Sequence, residues 1–216
     1  MDSQSWIEHA DLLSLFPSHV WTFDLTAEER EKIAHEITPE LEAIRPVFSE
    51  NRTGVGWQSP QDLHRRESLT TLVSIIDDST RSILRFLKIG YDAFEITGCW
   101  ANINSPGCSH RMHSHPNNFL SGAYYLQTQA GADTINFHDP RIQAAVIRPP
   151  VTELTGSNTD QVVVKVKDGM LLLFPAYLQH SVDANTSDRE RISISFNIMF
   201  SSFTENLSKP LWSGGV

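Results

Sequence analysis

Only two cysteines, Cys99 and Cys108, occur among the 216 residues. They are too few for a disulfide framework, and a reduced, cytoplasmic setting is expected. No apolar run approaches the roughly 20 residues that span a bilayer. The opening Met1-Asp-Ser-Gln-Ser lacks the basic and then apolar start of a secretory leader, so no membrane association is expected. Positive charge is in short supply: 17 Lys and Arg stand against 26 Asp and Glu, a net charge of −9. A phosphate-binding surface needs the opposite balance, which argues against a nucleic-acid partner. Repeats, low-complexity tracts and linker-like stretches are also missing, and one domain is the simplest reading. What remains is an ordinary globular composition, 40% hydrophobic and 20% charged, long enough to bury a sizeable core.

The texture divides the chain into a mostly helical support region over residues 1–92, a core over 93–202 and a tail over 203–216. Thr26-Ala-Glu-Glu29 is a capping-box pattern that opens a helix, expected to stop near Ile37. Thr38-Pro39 then restarts a short helix, with Thr as N-cap and Pro at the first position. Leu69, Leu72, Val73, Ile76, Ile83, Leu84 and Leu87 recur at helical spacing, with Ser68 as the expected cap and Gly90 just past the end. Gly54-Val-Gly-Trp57-Gln-Ser-Pro60 reads as loop. From Ala93 onward, short β-branched and aromatic runs alternate with Gly, Pro, Asn and Asp. They predict strands at 94–104, 120–127, 134–138, 143–147, 162–166, 170–174, 181–184 and 192–200. Strands without intervening helices suggest an antiparallel sandwich or barrel, and the helices gathered before it make the fold class α+β.

The chemistry lies in Gly107-Cys-Ser-His-Arg-Met-His113-Ser-His115-Pro-Asn and in Asp168-Gly-Met-Leu-Leu-Leu-Phe-Pro175-Ala-Tyr-Leu-Gln-His180. Two imidazoles one residue apart on an extended segment can project toward one point, and a distant strand can supply a third. Such a set occupies one face of an octahedral metal and leaves the other face open for substrate and oxygen. His110 or the carboxylate of Asp139 offers an alternative to one member of the set, with His115 the least determined. Most of the other histidines, His9, His19, His35 and His64 among them, sit in polar or helical contexts and receive no role.

The segment from Trp100 to Phe200 resembles the double-stranded β-helix (jelly-roll, cupin-like) core of the iron(II)- and 2-oxoglutarate-dependent oxygenases. More narrowly, it resembles a small bacterial and phage subgroup of these oxygenases that is prolyl-hydroxylase-like. The resemblance rests on Trp100-Ala-Asn-Ile-Asn104, His113-x-His115-Pro-Asn, Ser121-Gly-Ala-Tyr-Tyr125-Leu, Phe137-His-Asp-Pro-Arg141, Gly169-x-Leu-Leu-Leu-Phe-Pro175 and Arg191-Ile-Ser-Ile-Ser-Phe-Asn197. It implies Fe(II) held by His113, His115 and His180, a departure from the usual His-x-Asp/Glu with a distant His. It further implies 2-oxoglutarate as cosubstrate, its far carboxylate gripped by Arg191 with Ser193 and Tyr125. Asn102 or Asn104 would meet the end near the metal. An arginine fork suits a carboxylate and stays charged when buried.

The activity so implied is hydroxylation of an unactivated C–H in a small molecule such as an amino acid or related acid, with succinate and carbon dioxide as coproducts. Trp57, Gln58 and Arg141 are candidates for the substrate wall. A homodimer is left open. Two readings compete. The histidine spacings also fit a cupin-type metal-dependent dioxygenase or isomerase that does not use 2-oxoglutarate. A non-catalytic binding module is the third reading.

Overall fold

The computed structural model describes residues 6–45, 54, 56–90, 93–141, 143 and 146–204. Ten strands and three α-helices appear among them: β1 (Trp21–Asp24), α1 (Ala27–Ile44), β2 (Gly56–Gln58), α2 (Thr70–Phe86), β3 (Phe94–Asn104), β4 (His110–His113), β5 (Leu120–Gln127), β6 (Thr134–His138), β7 (Gln161–Lys165), β8 (Met170–Pro175), β9 (His180–Val182), β10 (Arg191–Phe200) and α3 (Ser201–Thr204). A six-stranded sheet has the order β1-β8-β5-β10-β3-β2, and a four-stranded sheet the order β4-β9-β6-β7. Every strand-to-strand pairing is antiparallel. No helix among the described residues is long and apolar enough to cross a membrane.

Strand alternation divides the core into two compartments. On β10, Ile194, Phe196 and Ile198 join Leu120 and Tyr124 of β5, Leu171 and Leu173 of β8, and the buried faces of α1 and α2 in one apolar cluster. The next residues along the same strands turn the other way. Ala123 and Tyr125, with Leu172 and Phe174, pack on Ile135 and Phe137 of β6 in a second cluster between the sheets. A residue and its neighbour in a strand point to opposite faces, so the helices cover one face of the larger sheet and the smaller sheet covers the other. Arg191, Ser193 and Asn197 are buried polar residues of β10 on this inner side. So are Asn102 and Asn104 of β3.

The helices depart from expectation in three places. Thr26 does cap α1, accepting the Glu29 N–H at 3.3 Å. However, α1 runs through Thr38-Pro39 to Ile44 as one helix with Pro39 inside. Ile33 and Ile37 before Pro39, and Leu41 after it, are all buried in the helix-side cluster. Docking of this continuous stripe outweighs the one backbone bond that Pro39 cannot make. Second, Ser68 does not cap α2. Leu69 occupies the N-cap without a side-chain bond, and the Ser68 hydroxyl donates to Glu40 Oε2 at 3.3 Å. Third, Lys88 rather than Gly90 takes the left-handed position after α2, with φ of 56°.

Among the strands, 94–104, 120–127 and 134–138 form as expected. The stretch 143–147 does not: Gln143, Val146 and Ile147, its described residues, lie outside the ladders. Val146 and Ile147 are exposed, so their apolar character does not serve the core. β1, β2 and β4 were not expected, and β2 converts part of the predicted 54–60 loop into an edge strand on β3. The tail residues 205–216 lie outside the described ones.

One glycine shows how tightly the sheets close over the helices. Gly122 of β5 sits between β8 and β10, and a Cβ there would lie 2.3 Å from Phe196 Cζ and 2.5 Å from the Leu172 carbonyl oxygen. The carbonyl belongs to the ladder and cannot rotate away. Gly122→Ala is expected to destabilise the protein by about 1–3 kcal/mol, the usual cost of overpacking. Urea denaturation would register this as a lower midpoint with an unchanged slope, and an unaltered midpoint would refute the close packing.

Candidate metal centre

His113 ends β4 and His180 begins β9, and the two are directly opposed across the ladder. His115 follows two residues on, beyond the strand. Its backbone N–H donates to the Ala176 carbonyl at 2.9 Å, which ties it to the turn leading into His180. Asn117, at φ of 62°, turns the chain back toward β5. One nitrogen from each of His113, His115 and His180 falls within 4.8 Å of the others. Ring centroids are 4.3 Å apart for His113 and His180, 5.1 Å for His113 and His115, and 5.2 Å for His115 and His180.

Backbone carbonyls fix two of the tautomers. The Nδ1 of His113 lies 2.7 Å from the Arg111 carbonyl oxygen, and that of His180 lies 3.0 Å from the Leu178 carbonyl oxygen. A carbonyl only accepts, so each Nδ1 carries the hydrogen and each Nε2 keeps a free lone pair, as a metal ligand requires. Aromatic rings hold the set in place. Phe174 meets His180 edge-on at 4.8 Å and Phe137 at 5.0 Å, while Trp100 lies 5.9 Å from His115.

The same cavity extends to Arg191, Tyr125 and Ser193. Arg191 is 3% exposed and forms no ion pair among the described residues. One Nη donates to the Thr134 carbonyl at a long 3.4 Å, the guanidinium carbon lies 5.2 Å from the centre of the Tyr125 ring, and Nε has no partner. The Tyr125 hydroxyl is also buried without a hydrogen-bond partner. Burial pushes the Tyr125 pKa up, against the opposing pull of Arg191, so the group remains a phenol able to donate. A buried cation with a partnerless Nε, beside a buried phenol and facing one cavity, fits an anionic ligand.

The other predicted site residues divide. Asn102 lines the cavity, held by an amide relay in which Gln58 Nε2 donates to Asn102 Oδ1 at 2.8 Å and Asn102 Nδ2 donates to Ser195 Oγ at 2.9 Å. Asn104 sits behind it, with Oδ1 3.1 Å from His110 Nε2. Gln58 reaches the cavity, whereas Trp57 packs against the helix-side apolar cluster. Arg141 is 68% exposed and paired with Asp139 at 2.8 Å. This pairing holds the Asp139 carboxyl below its ordinary pKa, and Asp139 is not a member of the histidine group. Trp100, Ser195 and His110 also line the cavity. Ser195 was legible as the next inward residue after Arg191 and Ser193, and His110 had been weighed only as a ligand.

Residues 98–197 match the model of the family described as "Putative 2OG-Fe(II) oxygenase". Over this stretch, a little under half of the chain, the sequence is similar to that family of iron(II)- and 2-oxoglutarate-dependent oxygenases. Among solved structures, the fold is similar to a prolyl-4-hydroxylase of Pseudomonas putida, with 16% identity, a TM-score of 0.58, and coverage of 85% of this chain and 93% of that one. It is likewise similar to the α-ketoglutarate-dependent carbocyclase SnoK from nogalamycin biosynthesis, at 15% identity and a TM-score of 0.63, covering 91% and 90%. A prolyl hydroxylase from Trichoplax adhaerens, solved with a peptide of the hypoxia-inducible factor, aligns at 15% identity and a TM-score of 0.60, covering 88% and 87%. At such identities the likeness concerns the fold, a mixture of helices and antiparallel sheets in the jelly-roll class of these oxygenases. No curated protein matches the sequence.

Burial, aided by neighbouring cationic groups, lowers the pKa of His110, His115 and His180 from 6.5 to about 4. Between those values the unfolded chain binds protons that the folded chain does not. These groups therefore contribute nothing to pH dependence above about pH 6.5, and they cost stability as pH falls toward 4. In metal-free protein, His180→Gln should flatten the acid limb of the stability profile by up to about 1.4 kcal/mol per pH unit, the value for one proton. Urea titrations at several pH values would test this, and parallel profiles for the two proteins would contradict it.

Proposed function

We propose that the two sheets form a double-stranded β-helix and that the protein hydroxylates an unactivated C–H of a small molecule, using iron(II) and 2-oxoglutarate. The observation that carries this reading is the buried, unpaired Arg191 sharing a cavity with three converging imidazoles. His113, His115 and His180 would hold the iron, since imidazole suits Fe(II) and at least two of the rings present a free Nε2. Arg191 would grip the far carboxylate of 2-oxoglutarate, with the Tyr125 hydroxyl donating to it and Ser193 beside it. Asn102, oriented by Gln58 and Ser195, would face the other end of the cosubstrate. When bound, iron and 2-oxoglutarate supply oxidation of a C–H bond by molecular oxygen, with succinate and carbon dioxide released.

The protein's part is to place and to shield. Trp100 packs against His115, and Phe137 and Phe174 against His180, which would limit water on that side of the reacting centre. Gln58 and Trp100 line the cavity and would be within reach of a substrate there, while Arg141 is engaged with Asp139 at the surface. Solved structures of the same fold include HygX with nickel and 2-oxoglutarate bound and the epimerase SnoN with Fe3+ and α-ketoglutarate, which supports the choice of ligands. The unpaired Arg191 disfavours a cupin that does without a dicarboxylate.

Anaerobic addition of iron(II) and then 2-oxoglutarate should produce a weak visible charge-transfer band, and aerobic incubation should release succinate. Arg191→Ala should weaken 2-oxoglutarate binding by about 30-fold or more, the loss expected when one partner of a buried charge pair is truncated. Iron affinity should change little. A protein that binds iron without any band, or an Arg191→Ala variant with unaltered 2-oxoglutarate affinity, would sink the proposal.

A further inference from the structure

β7 is the outer strand of the four-stranded sheet and pairs on one side only, with β6. The phase of that ladder determines which backbone groups face outward. Asp139 N–H donates to the Asp160 carbonyl, and Val166 N–H donates to the Asp133 carbonyl. Residues 160 and 166 thus form hydrogen-bonded pairs toward β6, and antiparallel alternation assigns the same to Val162 and Val164. Gln161, Val163 and Lys165 therefore direct their N–H and C=O groups away from the sheet. The Thr159 hydroxyl meets the N–H and C=O of Gln161, at 3.2 and 2.8 Å. For the backbone of Val163 and Lys165 there is no partner among the described residues.

The side chains of this edge are unusual for a solvent boundary. Val162 and Val163, on opposite faces, are 46% and 54% exposed. Natural edges are guarded by proline, bulges or inward charges, and Gln161–Lys165 has none of these, with a single lysine at its end. The opposite edge of the same sheet is guarded, because β4 carries a register irregularity between His110 and His113. The connection leading into β7 adds exposed Val146, Ile147 and Leu154. An ion pair between Arg148 and Asp160 ties that connection to the start of the strand.

We propose that β7 is the interface of a homodimer, in which two copies pair their β7 strands antiparallel about a two-fold axis at Val163. In this register Val163 opposes its symmetry mate, Val162 opposes Val164, and Gln161 opposes Lys165. The free outward groups of Val163 then pair across the axis, and those of Lys165 meet Gln161, whose own N–H and C=O would exchange the Thr159 hydroxyl for the partner strand. Valines meet on both faces, and Lys165 meets a neutral amide. Centring the axis on Lys165 would set two lysines against each other, and centring it on Gln161 would bring Asp160 against Val162 and forfeit the valine contacts. A second copy fits the edge because this sequence is its own complement in charge and in hydrogen-bond phase. The two four-stranded sheets would join into one continuous sheet. Five residues of edge, with the apolar connection beside it, make a modest interface, so the dimer should dissociate on dilution.

Sedimentation of the full chain from low to high micromolar concentration is expected to show a monomer–dimer equilibrium. Val163→Lys places like charges on the axis and should raise the dissociation constant by about tenfold or more. Val163→Pro removes an outward N–H without touching the β6 ladder and should do the same, with thermal melts confirming that both variants fold. Val163→Cys should give a disulfide-linked dimer on oxidation, because directly opposed Cα atoms about 5.5 Å apart fall within disulfide range, and the natural Cys99 and Cys108 are buried. A protein that stays monomeric throughout, or a dimer indifferent to Val163→Lys, would overturn the proposal. So would strong hydrogen-exchange protection of the Val163 amide in the monomer, which would mean that a segment of the same chain covers the edge.

Discussion

A guanidinium with almost no solvent and no carboxylate beside it is the constraint that organises the inner face of this protein. Removing an isolated charge from water costs several kcal/mol even after relaxation, and Arg191 recovers little of that cost from one long bond to the Thr134 carbonyl and the face of the Tyr125 ring. Its field reaches the rest of the cavity. After burial itself, Arg191 is the largest cause holding His110 below its ordinary pKa. A neutral His110 whose Nε2 faces the acceptor Asn104 Oδ1 must carry its hydrogen there, which leaves Nδ1 as an acceptor. The cavity thus has one permanent cation, a phenol whose pKa is raised by burial, and in His110, His115 and His180 imidazoles whose pKa is lowered by burial. Such a surface is completed by an anion.

The position of that charge follows from β10. Along Arg191-Ile-Ser-Ile-Ser-Phe-Asn197, polar and apolar residues alternate. In most sheets this pattern sends the polar set to water. Here α1 and α2 take the apolar side, and the smaller sheet closes over the polar side, so the polar residues line an interior instead. The same inversion operates on β3, where Cys99 and Ala101 face the helices while Asn102 and Asn104 face inward. A metal centre gains from this arrangement because its ligands are anchored by main chain. His113 and His180 oppose one another in a ladder, and each donates to a carbonyl two residues before it. His115 is tied by its own N–H to the turn that precedes His180. None of the three depends on a free loop for its place.

Much of this was legible in the sequence because the long strands and the histidine spacing are strong local patterns. The strands at 94–104, 120–127 and 134–138 have both the residue types and the length for period-two alternation to show. β1, β2 and β4 have four, three and four residues, too short for a period to register, and they exist because a neighbouring strand offers an edge. Pro39 misled for a related reason. The local rule against interior proline is sound, but the stripe of Ile33, Ile37 and Leu41 is satisfied only by a helix that continues. Of the expected strand at 143–147, the described Val146 and Ile147 have strand composition but lie outside the ladders. Within the candidate site, Arg141 and Trp57 could not be sorted from Gln58 by sequence. Arg141 is occupied by Asp139 two residues away, and adjacent residues of β2 face opposite sides.

Histidine at position 115, where a carboxylate is usual for the resemblance, has an electrostatic consequence within this frame. A carboxylate there would bring a fixed negative charge among the imidazoles and partly cancel both a bound dication and Arg191. Three neutral imidazoles cancel nothing. The positive charge of the dication and that of Arg191 would then face the same small cavity, and their mutual repulsion in a partly desolvated space is substantial. A ligand anionic at both ends, long enough to reach from the imidazoles to the guanidinium, relieves that repulsion at both places, whereas a monoanion relieves it at one. If His115 is a ligand as proposed, it would favour a dicarboxylate over a simple acid. Occupancy of the metal position and of the Arg191 end would then be coupled through charge.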